Sequence, residues 1–161
     1  LELARGLENI VGIKIASGNP GQTAEIKGEN PGFLVYSGDD ALNMRHFKAG
    51  ADGAISVVSH WAAKPIKFMH ELAQLPIMKD EGCLRMIDNM LMPSYKFASV
   101  YPNPIPAKAM MRHLFGPEVG YCESPMVIGQ DQEEELDYVA RELNKDLRQY
   151  FEAHFNEPLV D

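Results

Sequence analysis

NIVGIK (Asn9 to Lys14), FLVYSGDDAL (Phe33 to Leu42) and GADGAISVV (Gly50 to Val58) are three apolar, β-branched runs spaced roughly 20 residues apart, and their reading decides the fold. None alternates strictly between apolar and polar residues. Continuous apolar character is the pattern of a strand covered on both faces, as in a parallel sheet. The connections read as loops and helices. Ser17-Gly18-Asn19-Pro20-Gly21 is rich in turn residues and leads to a short helix, Gln22 to Lys27, closed by Gly28. Gly38-Asp39-Asp40 ends the second run, and its aspartates are suited to cap a helix from Ala41 to Lys48, stopped by Gly50. The third strand, Gly53 to Val58, gives way to a helix from His60 to about Leu75. A strand-helix rhythm repeated in this way predicts parallel strands joined by right-handed crossovers.

Beyond this segment the pattern is helical. Asp80 to about Ser99 reads as a methionine-rich helix that Pro93 should bend or break. Tyr101-Pro102-Asn103-Pro104-Ile105-Pro106 is a rigid turn, with Pro106 near the first turn of a helix from Ala107 to Phe115. Glu118 to Ile128 reads as a loop. Gln130 to about Phe155 is a long helix, with Leu136, Val139, Leu143 and Leu147 at helical spacing. The acidic run Asp131 to Glu135 sits at its start, where the macrodipole favours negative charge. The expected division is therefore βα units over residues 1–76 and a helical extension over residues 77–161. Leu1 to Leu7 has the character of a helix tail, which suggests a chain that begins inside a longer protein.

The 161 residues suffice for a core, and the formal net charge of −8 argues against a nucleic-acid footprint. No apolar run approaches the ~18 residues that span a bilayer. Cys83 and Cys122 form no CxxC pair and read as free thiols in a reducing compartment. With no signal-peptide pattern, these features fit a cytoplasmic, acidic enzyme of small molecules, without nucleic-acid or membrane partners.

Lys14 is the leading candidate for chemistry. It ends an apolar strand, and in a βα barrel that end carries the active site. An amine held in an apolar wall has its charged form disfavoured. A neutral amine can attack a ketone to form an imine, which serves as an electron sink. A plain strand-end lysine reaching solvent is the alternative. Gly38 lacks a side chain and would admit a small substrate close to the backbone. Asp39 and Asp40 follow it. Ile55 and Ser56, at the third strand's end, offer carbonyls or a hydroxyl, or simply packing. The five histidines show no ligand spacing and read as surface or core-rim residues, so no metal site is expected. Trp61 is expected to pack beside the third strand. There is no phosphate-binding glycine loop.

Taken in order, NIVGIK…ASG, FLVYSGDDAL, GADGAISVV and YPNPIPAK (Tyr101 to Lys108) resemble the C-terminal half of the dihydrodipicolinate synthase family. These are pyruvate-dependent class I aldolases, a group that also contains N-acetylneuraminate lyase. The resemblance implies an α/β fold: the last three βα units of a (β/α)8 TIM barrel, followed by a helical C-terminal extension. It implies that Lys14 forms a Schiff base with pyruvate, so that a covalent imine replaces any cofactor. It implies that Gly38 lines the pyruvate site, that Asp39 and Asp40 lie near the second substrate's pocket, and that Ile55 contributes its main chain beside the imine. Asn103 to Lys108 would be a structural signature of the C-terminal helices. The implied reaction condenses pyruvate with L-aspartate 4-semialdehyde, in a homo-oligomer (dimer or tetramer) at full length.

Ala16 and Ala41 stand where the sialic-acid lyase pattern has a threonine and a glutamate, which favours the synthase form. Ile15, at a commonly acidic position, and Val58-Ser59-His60-Trp61 depart from the synthase pattern and leave the aldehyde open. A 2-keto-3-deoxy sugar acid aldolase or an N-acetylneuraminate lyase activity is the alternative, and a catalytically inactive remnant is the third reading. The proton-shuttling tyrosine, its hydroxyl relay and the carboxylate-binding threonines of the family belong to the half that would precede Leu1. Three strands cut from a barrel are expected to expose an edge and an apolar face.

Overall fold

The computed structural model of the protein describes residues 7–75, 81–155 and 159. The expected helix tail at Leu1 to Leu7 lies, except for Leu7, outside the described residues, as does the boundary at 76/77. In chain order the elements are β1 (Gly12–Ile15), α1 (Gly21–Glu29), β2 (Leu34–Ser37), a 3-10 turn (Asp40–Leu42) running into α2 (Asn43–Lys48), β3 (Gly53–Ala54), α3 (Ser59–Gln74), α4 (Glu81–Phe97), α5 (Ile105–Phe115), a 3-10 turn (Pro117–Val119) and α6 (Gln130–Phe155). The fold is α/β. Two compact units divide it: Leu1–Ser56 with Ile66–Met86, and Val57–Pro65 with Ile87–Asp161.

The first unit is built on a three-stranded parallel sheet in the order β1-β2-β3. Side chains alternate across a strand, so odd- and even-numbered residues of β1 and β2 take opposite faces. The odd set supplies the core: Ile15 and Val35 are buried with Phe33, and Ile26 of α1 packs against them. The even set, Gly12, Lys14, Leu34 and Tyr36, is half-buried or exposed. The strands are thus covered on one face and not on both, because among the described residues only helices on the odd side pack on them. Val11, Ile13, Leu34 and Ile55 remain exposed among the described residues.

β3 is shorter than the expected Gly53 to Val58. Asp52 N–H donates to the Val35 carbonyl (2.8 Å) and Ile55 N–H to the Ser37 carbonyl (2.8 Å), which brackets the paired residues. The Val57 and Val58 carbonyls are already engaged by the first amides of α3, from His60, Trp61 and Ala62. The Asp52 carboxylate takes the Val35 amide (2.8 Å) and the Lys27 ammonium (3.0 and 3.1 Å), while Lys27 also donates to the Pro31 and Phe33 carbonyls. Burial alone would raise the Asp52 carboxyl, but these donors more than offset it and hold it below its ordinary value.

A second polar contact lies deeper. Thr23 of α1 and His46 of α2 are both fully buried, with Thr23 Oγ1 2.8 Å from His46 Nδ1. His46 therefore departs from the expected surface or rim placement. On its other side, His70 of α3 meets the Phe47 ring edge-on and bonds the Ala51 carbonyl (3.1 Å).

In the second unit, α6 buries Glu133, Leu136, Ala140, Asn144, Leu147 and Phe151, a stripe at three- and four-residue steps. The stripe is rotated from the one expected, because small Ala140 and polar Asn144 face inward while Val139 is 40% exposed. Trp61 of α3 is buried against α4, its Nε1–H donating to Ser94 Oγ (3.1 Å) and its ring edge-on to Phe97. Pro65 lies inside α3, and Ala62, near the carbonyl its ring crowds, leaves helical dihedrals (φ −134°, ψ 37°). Pro93, expected to bend or break α4, sits within a helix that runs from Glu81 to Phe97 and does not end it.

Arg112 of α5 is the hinge of this unit's polar interior. Its guanidinium donates to Glu133 Oε2 (2.6 Å), Asp137 Oδ1 (2.7 Å) and the Gly120 carbonyl (3.2 Å), and lies 4.1 Å over the Tyr121 ring. One turn earlier, Lys108 donates to the Tyr121 (2.9 Å) and Val119 (3.4 Å) carbonyls. The NPIPAK segment thus enters α5 through Pro104 and Pro106 and fastens the loop that follows the helix.

Two outcomes follow from this packing. Arg112→Met leaves Glu133 buried beside an apolar chain, and should cost about 3–5 kcal/mol of unfolding free energy, read from urea denaturation. Burial also lowers the His46 pKa below its ordinary 6.5, against a weaker upward pull from Asp39, and burial with Arg141 and Arg148 lowers that of His113. The unfolded chain therefore takes these protons first, so stability is full above pH 6.5 and declines as the pH falls below it. His46→Gln together with His113→Gln should flatten the difference in thermal midpoint between about pH 7.5 and about pH 5.5.

Candidate active site

The C-terminal ends of the three parallel strands lie side by side, and Lys14, Gly38 and Ile55 of the sequence-predicted residues lie there. Lys14 stands opposite Tyr36 in the β1–β2 register, and both belong to the face away from the helices. The lysine is exposed among the described residues. The face it occupies is uncovered among the described residues, and none of them hydrogen-bonds or ion-pairs with its ammonium.

Gly38 acts on Lys14 directly. A Cβ built on Gly38 would overlap the Lys14 Cε, and would stand 2.9 Å from both the Ala16 Cβ and the Ile15 carbonyl oxygen. The Gly38 amide donates to that same carbonyl at 2.6 Å. The glycine was expected to make room for a substrate. It first makes room for the lysine, whose stem lies across the bare backbone.

Asp39 and Asp40 part company. The Asp39 carboxylate does not cap the helix after it; Oδ2 crosses to accept the Gly18 amide at 2.8 Å. It thereby joins the loop after β1 to the loop after β2. Asp40 opens the 3-10 turn and receives a long hydrogen bond from Asn43 Nδ2 (3.4 Å). Its carboxylate is turned toward its own helix. Ile55 donates its amide to the Ser37 carbonyl, one residue before Gly38, and its carbonyl accepts no bond from the described residues. Its side chain is 51% exposed.

The residues that depart from the synthase pattern have packing partners of their own. Ile15 is buried on the opposite face from Lys14, and Trp61 is buried against α4. His60 bonds the Val57 carbonyl through Nδ1 (2.7 Å).

Several contributors escaped the sequence reading. Tyr36 could have been found, since parallel register sets it beside Lys14; its ring lies where a Cβ on Gly53 would meet it at 3.3 Å. Gly18, with φ +72°, shapes the loop behind the lysine. Thr23 and His46 carry no spacing that would have paired them.

A face with one amine, one bare backbone position and a strand-end carbonyl can bind and activate a small ketone. Known proteins carry the same arrangement of chain. The family model described as the dihydrodipicolinate synthetase family matches residues 1–146. The 4-hydroxy-tetrahydrodipicolinate synthase of Listeria welshimeri is 36% identical over 141 residues, covering 86% of this chain and 47% of that protein. The synthase of Stenotrophomonas maltophilia is 40% identical over 107 residues, 66% of this chain and 35% of its own length. Among solved structures, the synthase of Cyanidioschyzon merolae with lysine bound superposes with a TM-score of 0.77 at 34% identity, over 89% of this chain and 48% of that one. The chain spans about half the length of the relatives it matches. On the match of the family model over most of its length, this chain belongs to the dihydrodipicolinate synthase family.

Proposed function

We propose that this chain carries the imine-forming part of a lyase that condenses pyruvate with L-aspartate 4-semialdehyde, the reaction named for its relatives and one that would serve lysine and diaminopimelate biosynthesis. The observation that supports it most is the Lys14 stem seated on Gly38 at the ends of three parallel strands. In this reading the sheet is the last three βα units of a (β/α)8 barrel, and the helices after it are the C-terminal extension. The Lys14 amine adds to the pyruvate ketone and expels water, leaving an imine on Nζ. The imine withdraws electrons from the adjacent methyl carbon, which loses a proton and attacks the aldehyde. Gly38 and the Ile55 carbonyl flank the imine, and no cofactor is needed. Asp39 and Asp40 belong to the surroundings of the aldehyde.

Ala16 and Ala41 support the semialdehyde over a polyhydroxylated substrate, since neither side chain can hydrogen-bond hydroxyls. The placement of Ile15 on the face opposite Lys14 weakens the case for an N-acetylneuraminate lyase or sugar-acid aldolase activity. An inactive remnant is the remaining alternative. We place the parent enzyme in the cytoplasm, in keeping with the two free thiols, Cys83 and Cys122. Among the described residues no helix is long and apolar enough to cross a membrane. One solved relative is described as the first monomeric variant of its kind, which supports a homo-oligomer as the usual form.

Borohydride reduction in the presence of pyruvate, on the protein as its gene encodes it, tests the assignment. A stable adduct should form on Lys14 and vanish in Lys14→Ala. An adduct on another lysine, one that survives the substitution, or none at all would overturn it. Gly38→Ala forces the new methyl against Ala16, the Ile15 carbonyl and the Lys14 stem; it should cost about 1–3 kcal/mol of stability and slow trapping at Lys14. Equal trapping rates in Gly38→Ala and wild type would show that the close approach does not set the lysine's position.

A further inference from the structure

We infer that Asp39 is a positioning residue for Lys14 and not a ligand for the second substrate, a reading that rests on the imine chemistry proposed above. Its carboxylate already has a partner. Oδ2 accepts the Gly18 amide at 2.8 Å, across a sequence gap of 21 residues. A carboxylate that takes a backbone amide in a well-formed hydrogen bond is held in one orientation, with Oδ2 committed to the loop, and a substrate that pulled it away would leave the amide unpaired.

The loop held in this way is the one that leaves the lysine strand. Ala16 to Pro20 connects β1 to α1, and it needs help to keep its shape. Gly18 is in the left-handed region (φ +72°), with nothing within 4 Å of where its Cβ would be. Two side-chain bonds fold the loop on itself: the Gly21 amide donates to Asn19 Oδ1 (3.0 Å), and Ser17 Oγ donates to Gln22 Oε1 (2.6 Å). Neither joins it to the neighbouring strand. That link is made at two points: Gly18 is tied to Asp39, and Thr23, in the first turn of α1, to His46 of α2 (2.8 Å). Both anchors come from the segment that follows β2.

The geometry makes the clamp relevant to the amine. Gly38 lies beside Asp39 and directly beneath the Lys14 stem, while the Ile15 carbonyl accepts the Gly38 amide. Lys14, Gly38, Asp39 and Gly18 therefore form a closed circuit: strand β1, its loop, the Asp39 bridge, and back to the lysine through Gly38. Releasing the bridge frees the loop from the β2 end, and with it the backbone just past Lys14. A displaced reacting group loses rate long before it loses binding.

The experiment separates imine formation from aldehyde binding, on the protein as its gene encodes it. Borohydride trapping is run with pyruvate alone, followed by condensation kinetics with the semialdehyde. Asp39→Ala should slow trapping at Lys14 on the order of tenfold, and lower kcat with little change in the aldehyde KM. Asp39→Asn keeps an amide oxygen that can accept the Gly18 N–H and should restore trapping to near the wild-type rate. Thr23→Val, of like shape but without the hydroxyl, should slow trapping also, and its effect combined with Asp39→Ala should be less than additive.

If both Asp39 variants trap pyruvate at the wild-type rate and instead raise the aldehyde KM, Asp39 is a substrate ligand and the inference fails. If Asp39→Asn is as slow as Asp39→Ala, the charge matters and the bridge does not, and the inference again fails. Should Asp39→Ala not fold, as judged by its thermal midpoint, Asp39→Asn and Thr23→Val still decide the matter. The absence of any Lys14 adduct in the wild type would instead refute the proposed function.

Discussion

A missing methyl governs this site. Where β2 ends, the chain presents a bare α-carbon, and the four-carbon stem of Lys14 lies across it. A lysine side chain has more rotamer freedom than most, and ordering one costs free energy. Here shape does the restraining: the stem has a floor in Gly38, and the strand register sets Tyr36 next to it. The sheet cannot shift by one residue without moving Lys14 to the helix-packed face and Ile15 to the open one. Register, burial of Val35 and Ile15, and presentation of the amine are thus one constraint expressed three ways.

The two units solve the problem of buried polarity differently. In the first, polar atoms lie between βα loops and helices, and they fasten backbone: Asp52 and Lys27 hold the entry to β2, Asp39 holds the loop after β1. In the second, one guanidinium satisfies two carboxylates and a carbonyl and stacks on a tyrosine ring. Removing either type of link leaves a donor or an acceptor out of water, so each resists loss more than it adds to stability.

Much of this was legible in the sequence, for physical reasons. The β-branched runs with turn residues between them pointed to three strands and to their parallel sense. The spacing of motifs located Lys14, Gly38 and Ile55 at adjacent strand ends, where they are found. Periodicity gave α6 almost to the residue, but not its buried face. Val139 and Leu143 fit a helical repeat as well as Ala140 and Asn144 do, and only the neighbouring helices decide which set turns inward. β3 was overlong because Val57 and Val58 suit a strand, whereas their carbonyls serve the start of α3. Side-chain bridges were the least legible. Nothing about Asp39 announces a bond to an amide 21 residues earlier, and Thr23 and His46 are paired only once α1 and α2 are laid on the sheet.

The order in which the chain supplies these parts has a bearing on synthesis. The unit that bears Lys14 is not contiguous: its strands lie before residue 57, but Ile66–Met86 completes it. His70 bonds the Ala51 carbonyl and braces Phe47, and Glu81 pairs with Lys48, so α2 and the approach to β3 gain these supports only when later residues are available. On a ribosome, which releases the N-terminal portion first, the three strands would emerge well before their last helical supports. Apolar residues of these strands that the described helices leave exposed, among them Ile13 and Leu34, would be open to a chaperone during that interval.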